Sequence, residues 1–355
     1  SFDPSGHFLV TASYDNTARL WSATGQDYLL SLHHEQVVWW VGYGADGQHV
    51  LTVSGAPERE VRIWDTARGK AESSFGSLPG NANYGGWSRD RRTFLVAVNE
   101  TALFLDAATG HPQAQIRHGA PINSVAFSPD ETRIVVADQQ GKAAIYDRQS
   151  GRALTWLPGD ATELYFTRFD REGRRVVTAG KDQTAKVWDA ASGALLASLH
   201  GHRGAVLGAA FHPDGKRLVT AALDQTAKVW LLPEGQLLYT AQEHRRQLNA
   251  VDFNPDGTLF VTAGFDEKVR IWDTATGAPV GAFPAFRAEW ADFSSDGTRL
   301  AVADEDGRLI VWPMGLDRRR PDEISRFVRC HIPFRVADGR LLPAETDPTA
   351  CAGAP

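Results

Sequence analysis

A self-similar segment of about 42 residues recurs along most of this 355-residue chain. Each copy contains a short alternating apolar run, such as Ala-Lys-Val-Trp at 185–188, that ends in a large marker residue. The eight markers, spaced 40 to 43 residues apart, are Trp21, Trp64, Leu105, Tyr146, Trp188, Trp230, Trp272 and Trp312. A repeat of this length is one supersecondary unit that cannot bury its apolar surface alone, so neighbouring copies must stack on one another.

The sixth copy shows the pattern inside each unit. His202 opens it, an apolar run leads to the turn at 212–215 (His-Pro-Asp-Gly), and two further strand-like runs end at Ala222 and Trp230. A fourth run covers residues 236–241. Four strand signals in each unit, together with 33 Gly, 18 Pro and a single Met in the chain, predict an all-β propeller rather than a helical fold.

These copies resemble the WD40-repeat family. The resemblance rests on the Trp-Asp pairs at 64–65, 188–189 and 272–273 and on the Gly-His pair at 201–202. In that family a His, a Ser or Thr, an Asp and a Trp form a buried hydrogen-bonded tetrad inside a blade. The resemblance implies two full tetrads, which are His202, Thr220, Asp224 and Trp230, and His244, Thr262, Asp266 and Trp272.

Other copies depart from the tetrad pattern. The third ends at Leu105, the fourth keeps His118 but ends at Tyr146, and the fifth has Asp160 in the His phase. We expect apolar packing between sheets to hold these copies together in place of the tetrad.

The repeats divide the chain into a propeller over residues 1–312 and a C-terminal extension over residues 313–355. The first copy lacks most of its first strand, so seven complete repeats follow one truncated repeat. We expect seven blades, with residues 26–32 completing the sheet that ends at Trp312. An eight-bladed ring, in which residues 332–337 supply the missing strand, is the alternative. Within the extension, the sequence predicts a short helix over 322–329 and a hairpin around Asp338-Gly339.

Several function classes are disfavoured. A formal net charge of −6 argues against nucleic acid as a partner, and no apolar run approaches the ~20 residues that cross a membrane. The sequence holds no nucleophile-elbow motif, no phosphate loop and no zinc-ligand spacing. Its two cysteines, Cys330 and Cys351, both lie in the extension. We therefore expect no catalytic residue, no cofactor and no metal ion, and a cytoplasmic location.

The remaining candidate site is a surface. In WD40 proteins the partner-binding positions lie three and five residues after the tetrad His and one residue before the tetrad Asp. Carried over by phase, they predict a binding face, called the top face below, at Tyr14, Trp39, Asn123, Glu163, Tyr165, Lys181, Leu207, Leu223, Gln247, Phe265, Arg287 and Glu289. The same phases also give Gln139 and Asn249. Aromatic and Arg side chains at the centre of such a face are typical of interface hot spots.

The function expected from these features is a non-catalytic interaction scaffold or ligand-sensing propeller. The partner would be a protein, a peptide or another domain of the same longer chain. The resemblance implies the C-terminal part of a larger signalling protein, and the excess of Arg over Lys favours a bacterial source. Two alternatives stay open. One is a propeller enzyme, with Glu163, Lys181, Glu289 and Glu305 as the charged candidates at its central channel, and the other is a purely structural spacer.

Overall fold

The structure is a computed structural model. It describes residues 8–12, 16–22, 28–35, 38–43, 48–54, 60–65, 67–68, 70–75, 78, 80, 82–159, 162–285, 288–293, 299–304, 309–313, 334–337 and 340–343. The chain divides into two compact units, Ser1–Pro313 and Met314–Pro355.

Within the described residues, every regular element of the first unit is a strand, and the strands form eight successive antiparallel sheets. We call these sheets blades one to eight. Blade one contains β1 (Phe8–Ala12), β2 (Thr17–Ser22) and β3 (Tyr28–His33). Blade two contains β4 (Val38–Tyr43), β5 (His49–Ser54), β6 (Val61–Asp65) and β7 (Lys70–Phe75). Blade three contains β8 (Ala82–Trp87), β9 (Thr93–Val98), β10 (Thr101–Asp106) and β11 (Pro112–Arg117).

The following three blades repeat this order of four strands. Blade four contains β12 (Ile122–Phe127), β13 (Arg133–Asp138), β14 (Ala143–Asp147) and β15 (Ala153–Leu157). Blade five contains β16 (Leu164–Phe169), β17 (Arg175–Gly180), β18 (Ala185–Asp189) and β19 (Leu195–Leu199). Blade six contains β20 (Val206–Phe211), β21 (Arg217–Ala222), β22 (Ala227–Leu231) and β23 (Gln236–Ala241).

The last two blades complete the first unit. Blade seven contains β24 (Leu248–Phe253), β25 (Leu259–Gly264), β26 (Lys268–Asp273) and β27 (Pro279–Pro284). Blade eight contains β28 (Ala288–Phe293), β29 (Arg299–Asp304) and β30 (Leu309–Pro313). The predicted all-β WD40-type propeller is thus confirmed. Seven of the eight predicted marker residues lie on the third strand of their sheet, and Trp21 lies on β2, the second strand of blade one.

One detail of the predicted closure is wrong. Residues 26–32 were expected to pair in the sheet that ends at Trp312, but β3 pairs with β2, from Thr17 opposite His33 to Trp21 opposite Tyr28. The short link between β2 and β3 favours this local hairpin, since closing a longer loop costs more entropy.

The second unit is described only in its two strands. β31 (Phe334–Ala337) pairs antiparallel with β32 (Arg340–Pro343), as the predicted hairpin requires. In the structure, the strand that the eight-bladed alternative assigned to blade one pairs within this hairpin. The predicted helix over residues 322–329 lies outside the described residues.

The hydrophobic core lies between neighbouring sheets. One cluster joins Val177, Val187 and Leu199 of blade five to Leu218 and Trp230 of blade six. The second strands β17, β21 and β25 are buried almost throughout, while the fourth strands β19, β23 and β27 are largely exposed. The sequences of the second strands are therefore nearly continuous apolar runs, because both faces of these strands are covered.

Hydrogen bonds from the start of a second strand to the first turn of the next blade fix blade four against blade five and blade five against blade six. Arg133 Nη2 donates to the Gly173 carbonyl at 2.7 Å, and Arg175 Nη2 donates to the Gly215 carbonyl at 2.6 Å. Gly173 and Gly215 have φ values of 68° and 69°, the left-handed conformation that glycine adopts without steric cost. Because Arg133 and Arg175 lie 42 residues apart, they form the same hydrogen bond in successive blades.

A β-bulge interrupts the pairing of the third and fourth strands at the same phase of successive blades. In blade five, Val187 pairs with Ala197 and Trp188 pairs with Leu195, so Leu196 is the extra residue. Leu154, Leu238 and Val280 occupy the same place in blades four, six and seven, and these side chains are exposed. Bulges of this kind disrupt the outer edge of a sheet and discourage strand addition there.

The strand register of β19 predicts opposite outcomes for two leucines. Leu199→Ala removes a side chain that is 0% exposed and should cost about 2–5 kcal/mol of unfolding free energy. Leu196→Ala truncates the bulge residue, which is 41% exposed, and should change the unfolding free energy by less than about 0.5 kcal/mol. Urea unfolding followed by tryptophan fluorescence measures both, and equal losses would contradict the register.

Candidate functional site

The predicted tetrad of blade six comes together inside the sheet. His202 Nε2 and the Trp230 indole N–H both reach Thr220 Oγ1, at 2.7 and 2.9 Å. His202 Nδ1 lies 2.9 Å from Asp224 Oδ2. Thr220 and Trp230 are buried on the second and third strands, while His202 and Asp224 belong to the two loops at one end of the sheet. The tetrad therefore joins these two loops to the core of the blade.

The tetrad of blade seven has the same geometry and one extra member. His244 Nε2 and Trp272 Nε1 each lie 2.8 Å from Thr262 Oγ1, and His244 Nδ1 lies 2.7 Å from Asp266 Oδ1. Buried Arg270 donates from Nη1 to Asp266 Oδ2 at 2.9 Å. Sequence reasoning missed Arg270, although Lys186, Lys228 and Arg270 recur two residues before the marker Trp with a spacing of 42.

The hydrogen bonds of the tetrad keep its aspartates ionised. Burial by itself raises the pKa of Asp224, but hydrogen bonds from His202, the Arg203 N–H and Thr226 outweigh it and hold the pKa well below its ordinary value. Burial also raises the pKa of Asp266, and its bonds to His244 and Arg270 lower it by more. Each carboxylate is thus an acceptor that can fix loop N–H groups.

Blade four has the expected apolar packing, but a polar network also holds it, so the expectation that apolar packing would replace the tetrad is wrong for this copy. His118 Nδ1 lies 2.7 Å from the Tyr146 hydroxyl, and His118 Nε2 lies 3.0 Å from Asp138 Oδ2. Asp138 is buried and also accepts the N–H groups of Gln140 and Lys142. In this copy the aspartate lies two residues before Gln140, which occupies the tetrad phase, so counting from the tetrad positions does not find it.

Blades two and five keep parts of the tetrad. In blade two, Thr52 Oγ1 accepts the Trp64 indole N–H at 2.8 Å and lies 2.8 Å from His34 Nε2. In blade five, Trp188 donates to Thr178 at 2.8 Å. Asp160, the fifth copy's residue in the His phase, lies outside the described residues.

The top face consists of the loops that join fourth to first strands and second to third strands. The structure links five of its predicted positions across blades four and five. The Asn123 amide donates to Glu163 Oε1 at 3.2 Å and accepts from Gln139 at 3.1 Å. Glu163 Oε2 accepts the Tyr165 hydroxyl at 3.2 Å and lies 3.7 Å from Lys181 Nζ. These side chains form one ordered polar cluster that solvent still reaches.

Blades six and seven continue the top face with more apolar groups. Leu223 is 41% exposed, Leu207 and Phe265 are half-buried, and the Phe265 N–H donates to the Gln247 carbonyl at 3.0 Å. Tyr14 and Arg287, together with the side chains of Trp39 in β4 and Glu289 in β28, lie outside the described part of the chain. The predicted positions described by the structure therefore form a polar half on blades four and five and a more apolar half on blades six and seven.

The described residues contain neither a metal-ligand cluster nor a membrane-spanning helix. No group of three or more His, Cys, Asp or Glu side chains there could hold a metal ion. No helix in this part of the chain is long and apolar enough to cross a membrane. Of the charged candidates for a channel enzyme, Glu163 is paired with Lys181, while the side chains of Glu289 and Glu305 fall outside the described residues.

Successive four-stranded antiparallel sheets with buried His-Thr-Trp bonds define a repeat-built β-propeller. A family model described as WD domain, G-beta repeat matches more than half of the chain, at residues 1–22, 110–147, 154–189, 193–230, 235–273 and 290–313. The chain belongs to the WD40-repeat family, whose members are generally non-catalytic and mediate protein-protein interactions.

Curated relatives match the chain over part of its length. A WD repeat-containing protein 26 homolog from Drosophila melanogaster is 29% identical over 161 residues, which is 43% of this chain and 25% of the relative. A serine-threonine kinase receptor-associated protein from Gallus gallus is 26% identical over 205 residues, 46% of this chain and 58% of the relative. The chain thus spans between a quarter and three fifths of these proteins.

A solved structure shows the same fold. The computationally designed Ika8 protein superposes with a TM-score of 0.74 and 21% sequence identity, covering 86% of this chain and 93% of that one. At this level of identity the likeness concerns the fold alone.

Two buried threonines give a matched test of the tetrad. Thr220→Val should cost roughly 2–5 kcal/mol of unfolding free energy, since it leaves both the Trp230 indole and the His202 ring without their partner. Thr167 is equally buried, but its Oγ1 has no hydrogen-bond partner among the described residues. Thr167→Val should therefore be neutral or stabilising by up to about 1 kcal/mol. Chemical unfolding of both variants measures the difference, and an equal cost would argue against the tetrad's role.

Buried histidines predict that the fold loses stability in mild acid. Burial, with a smaller contribution from Arg62, lowers the pKa of His34 to about 4. Burial also lowers the pKa of His118 and His244. Between pH 6.5 and pH 4 the unfolded chain binds a proton that folded His34 excludes. Stability should therefore fall as the pH drops from 7 to 5, by about 2 kcal/mol for His34 alone.

Urea unfolding at several pH values tests this dependence. His34→Gln should flatten it, because the replacement does not titrate. His200→Asn should leave it unchanged, since His200 is exposed. An unaltered pH dependence in His34→Gln would show that His34 is not the group responsible.

Proposed function

We propose that this propeller is a non-catalytic platform that holds a protein or peptide partner on its top face. The observation that carries the proposal is the cluster of Asn123, Gln139, Glu163, Tyr165 and Lys181, in which hydrogen bonds and an ion pair connect five positions predicted from three phases of the repeat.

The cluster is ordered before any partner arrives. Tyr165 is held by Glu163, and the Asn123 amide also donates to the Leu164 carbonyl at 3.0 Å, so these side chains have little freedom left to lose on binding. Tyrosine supplies a large contact area together with a polar hydroxyl, which suits the centre of an interface. Loops presented by a rigid scaffold are the usual place for such contacts.

Family membership supports a binding role. The name of the Gallus gallus relative states an association with a serine-threonine kinase receptor. We carry over to this chain only the idea of a propeller that holds a partner.

Finer aspects of the role are also proposals. We propose that the propeller serves a larger bacterial signalling protein, in which the partner is either another protein or another domain of the same chain. The Arg-rich composition and the family's wide use as a scaffold support this context. A cytoplasmic location stays a prediction.

Affinity capture from a lysate of the source organism tests the proposal. The chain carrying Tyr165→Ala with Phe265→Ala should capture about tenfold less of each specific partner, because two interface anchors are removed. The matched control, Leu196→Ala with Leu238→Ala, removes exposed apolar area from the outer strands and should retain them. If the top-face variant folds, as judged by its unfolding curve, and keeps every partner, the top face is not the binding surface.

A further inference from the structure

Two arginines occupy equivalent places on the top face of blades six and seven. Arg203 and Arg245 each follow the tetrad His directly and lie 42 residues apart. The Arg203 N–H donates to Asp224 Oδ2 at 2.8 Å, and the Arg245 N–H donates to Asp266 Oδ2 at 3.1 Å. The two tetrad carboxylates therefore hold the backbone from which both arginine side chains project.

Both guanidinium groups are available for a partner. Arg203, Arg245 and the adjacent Arg246 are exposed, and the structure gives none of them an ion pair among the described residues. Several exposed arginines elsewhere in the blades are paired with a carboxylate instead. Arg174, for example, lies 3.4 Å from Glu172, and Arg117 lies 3.9 Å from Glu100.

The loops around these arginines are more positive than the chain as a whole. Loops 200–205, 222–226, 242–247 and 264–268 balance in formal charge. Four exposed cations, Arg203, Arg245, Arg246 and Lys268, stand against two exposed carboxylates, Glu243 and Glu267, and the two tetrad aspartates, which are largely buried and already bonded to their histidines. Glu243 already lies 3.7 Å from Arg270. In a chain with a net charge of −6, an excess of exposed positive charge in one region favours a negatively charged ligand.

An apolar residue directly precedes the aspartate that accepts each arginine's N–H. Leu223 precedes Asp224, and Phe265 precedes Asp266, so the acceptor that fixes each arginine loop is adjacent in sequence to an apolar group. Leu223 is 41% exposed. Blades four and five have Gln139 and Lys181 at this phase and no arginine after the His phase. The combination of arginine and apolar side chain is thus confined, among these four blades, to blades six and seven.

We propose that blades six and seven bind an acidic peptide segment that contains apolar side chains. Its carboxylates pair with Arg203 and Arg245, and its apolar side chains pack on Leu223 and Phe265. The proposal rests on the proposed function, of which it specifies the place on the top face and the chemistry of the partner. Apolar groups on the same loops as the cations favour a peptide over a nucleic acid strand, whose backbone presents phosphates throughout.

Fluorescence anisotropy with the full chain tests this chemistry. The probe is a fluorescein-labelled peptide of glutamates interrupted by one Leu and one Phe, with two counterparts in which either the glutamates are lysines or the Leu and Phe are serines. The acidic apolar probe should bind at least about tenfold more tightly than either counterpart, and its affinity should fall between about 50 mM and about 200 mM salt. Equal binding of the lysine peptide, or stronger binding of a short oligo(dT), would overturn the proposal.

Charge reversal locates the site. Arg203→Glu with Arg245→Glu should weaken binding of the acidic probe by about tenfold or more, whereas Arg203→Lys with Arg245→Lys should keep most of it, because the charge is retained. The control is Arg171→Glu with Arg174→Glu, which makes the same charge change on an exposed turn at the other end of blade five and should have little effect. Equal weakening by the control would overturn the assignment to this site.

The same variants separate this inference from the proposed function. If Arg203→Glu with Arg245→Glu retains the partners captured from the lysate while Tyr165→Ala with Phe265→Ala loses them, the acidic-peptide site is wrong and the top-face platform stands. If neither variant loses a partner, both proposals fail.

Discussion

The whole propeller depends on the burial of each sheet by its neighbours. No blade can form a core alone, because its middle strands are apolar on both faces and only an adjacent sheet covers them. The cluster that joins Val187 of blade five to Leu218 and Trp230 of blade six is one such shared core. Stability in this arrangement is a sum of repeat and interface contributions, so every blade must match the next in register. The hydrogen bonds that Arg133 and Arg175 donate to the next blade supply that match between blades four and five and between blades five and six.

Polar groups inside the blades connect this core to the surface. Thr220 accepts the Trp230 indole in the core and lies within hydrogen-bond distance of His202, which in turn lies close to Asp224 on the loop side. Asp224 then accepts the Arg203 N–H. One chain of bonds thus runs from a buried tryptophan to an exposed arginine, and it fixes the loop geometry without immobilising the arginine side chain. A rigid interior and a chemically variable face are combined in the same repeat.

Much of the polar cluster could be predicted, because the repeat assigns each residue a position relative to the tetrad. Asn123, Glu163, Tyr165 and Lys181 were placed on one face by counting from the tetrad positions, and the structure joins them in one cluster. Phase could not predict Asp138, which is the last residue of β13, two residues before the tetrad phase, and still lies within hydrogen-bond distance of His118. It also missed Arg270, because a basic residue in the middle of a strand normally indicates solvent exposure, whereas here Arg270 is buried and bonded to Asp266.

The sequence by itself determined the unit of the fold. Periodic markers, turn residues and apolar runs specify four strands per repeat, since these signals act within a few residues of one another. Only the tertiary structure decided which strands pair where a repeat is incomplete, as in the pairing of β3 with β2. It alone also decided which side chains meet across blades, such as Asn123 with Glu163. The contact of Asn123 with Glu163 joins residues 40 apart in the chain, a distance that local patterns do not contain. For β3 the local patterns allowed either a nearby or a distant partner strand, and only the structure selects β2.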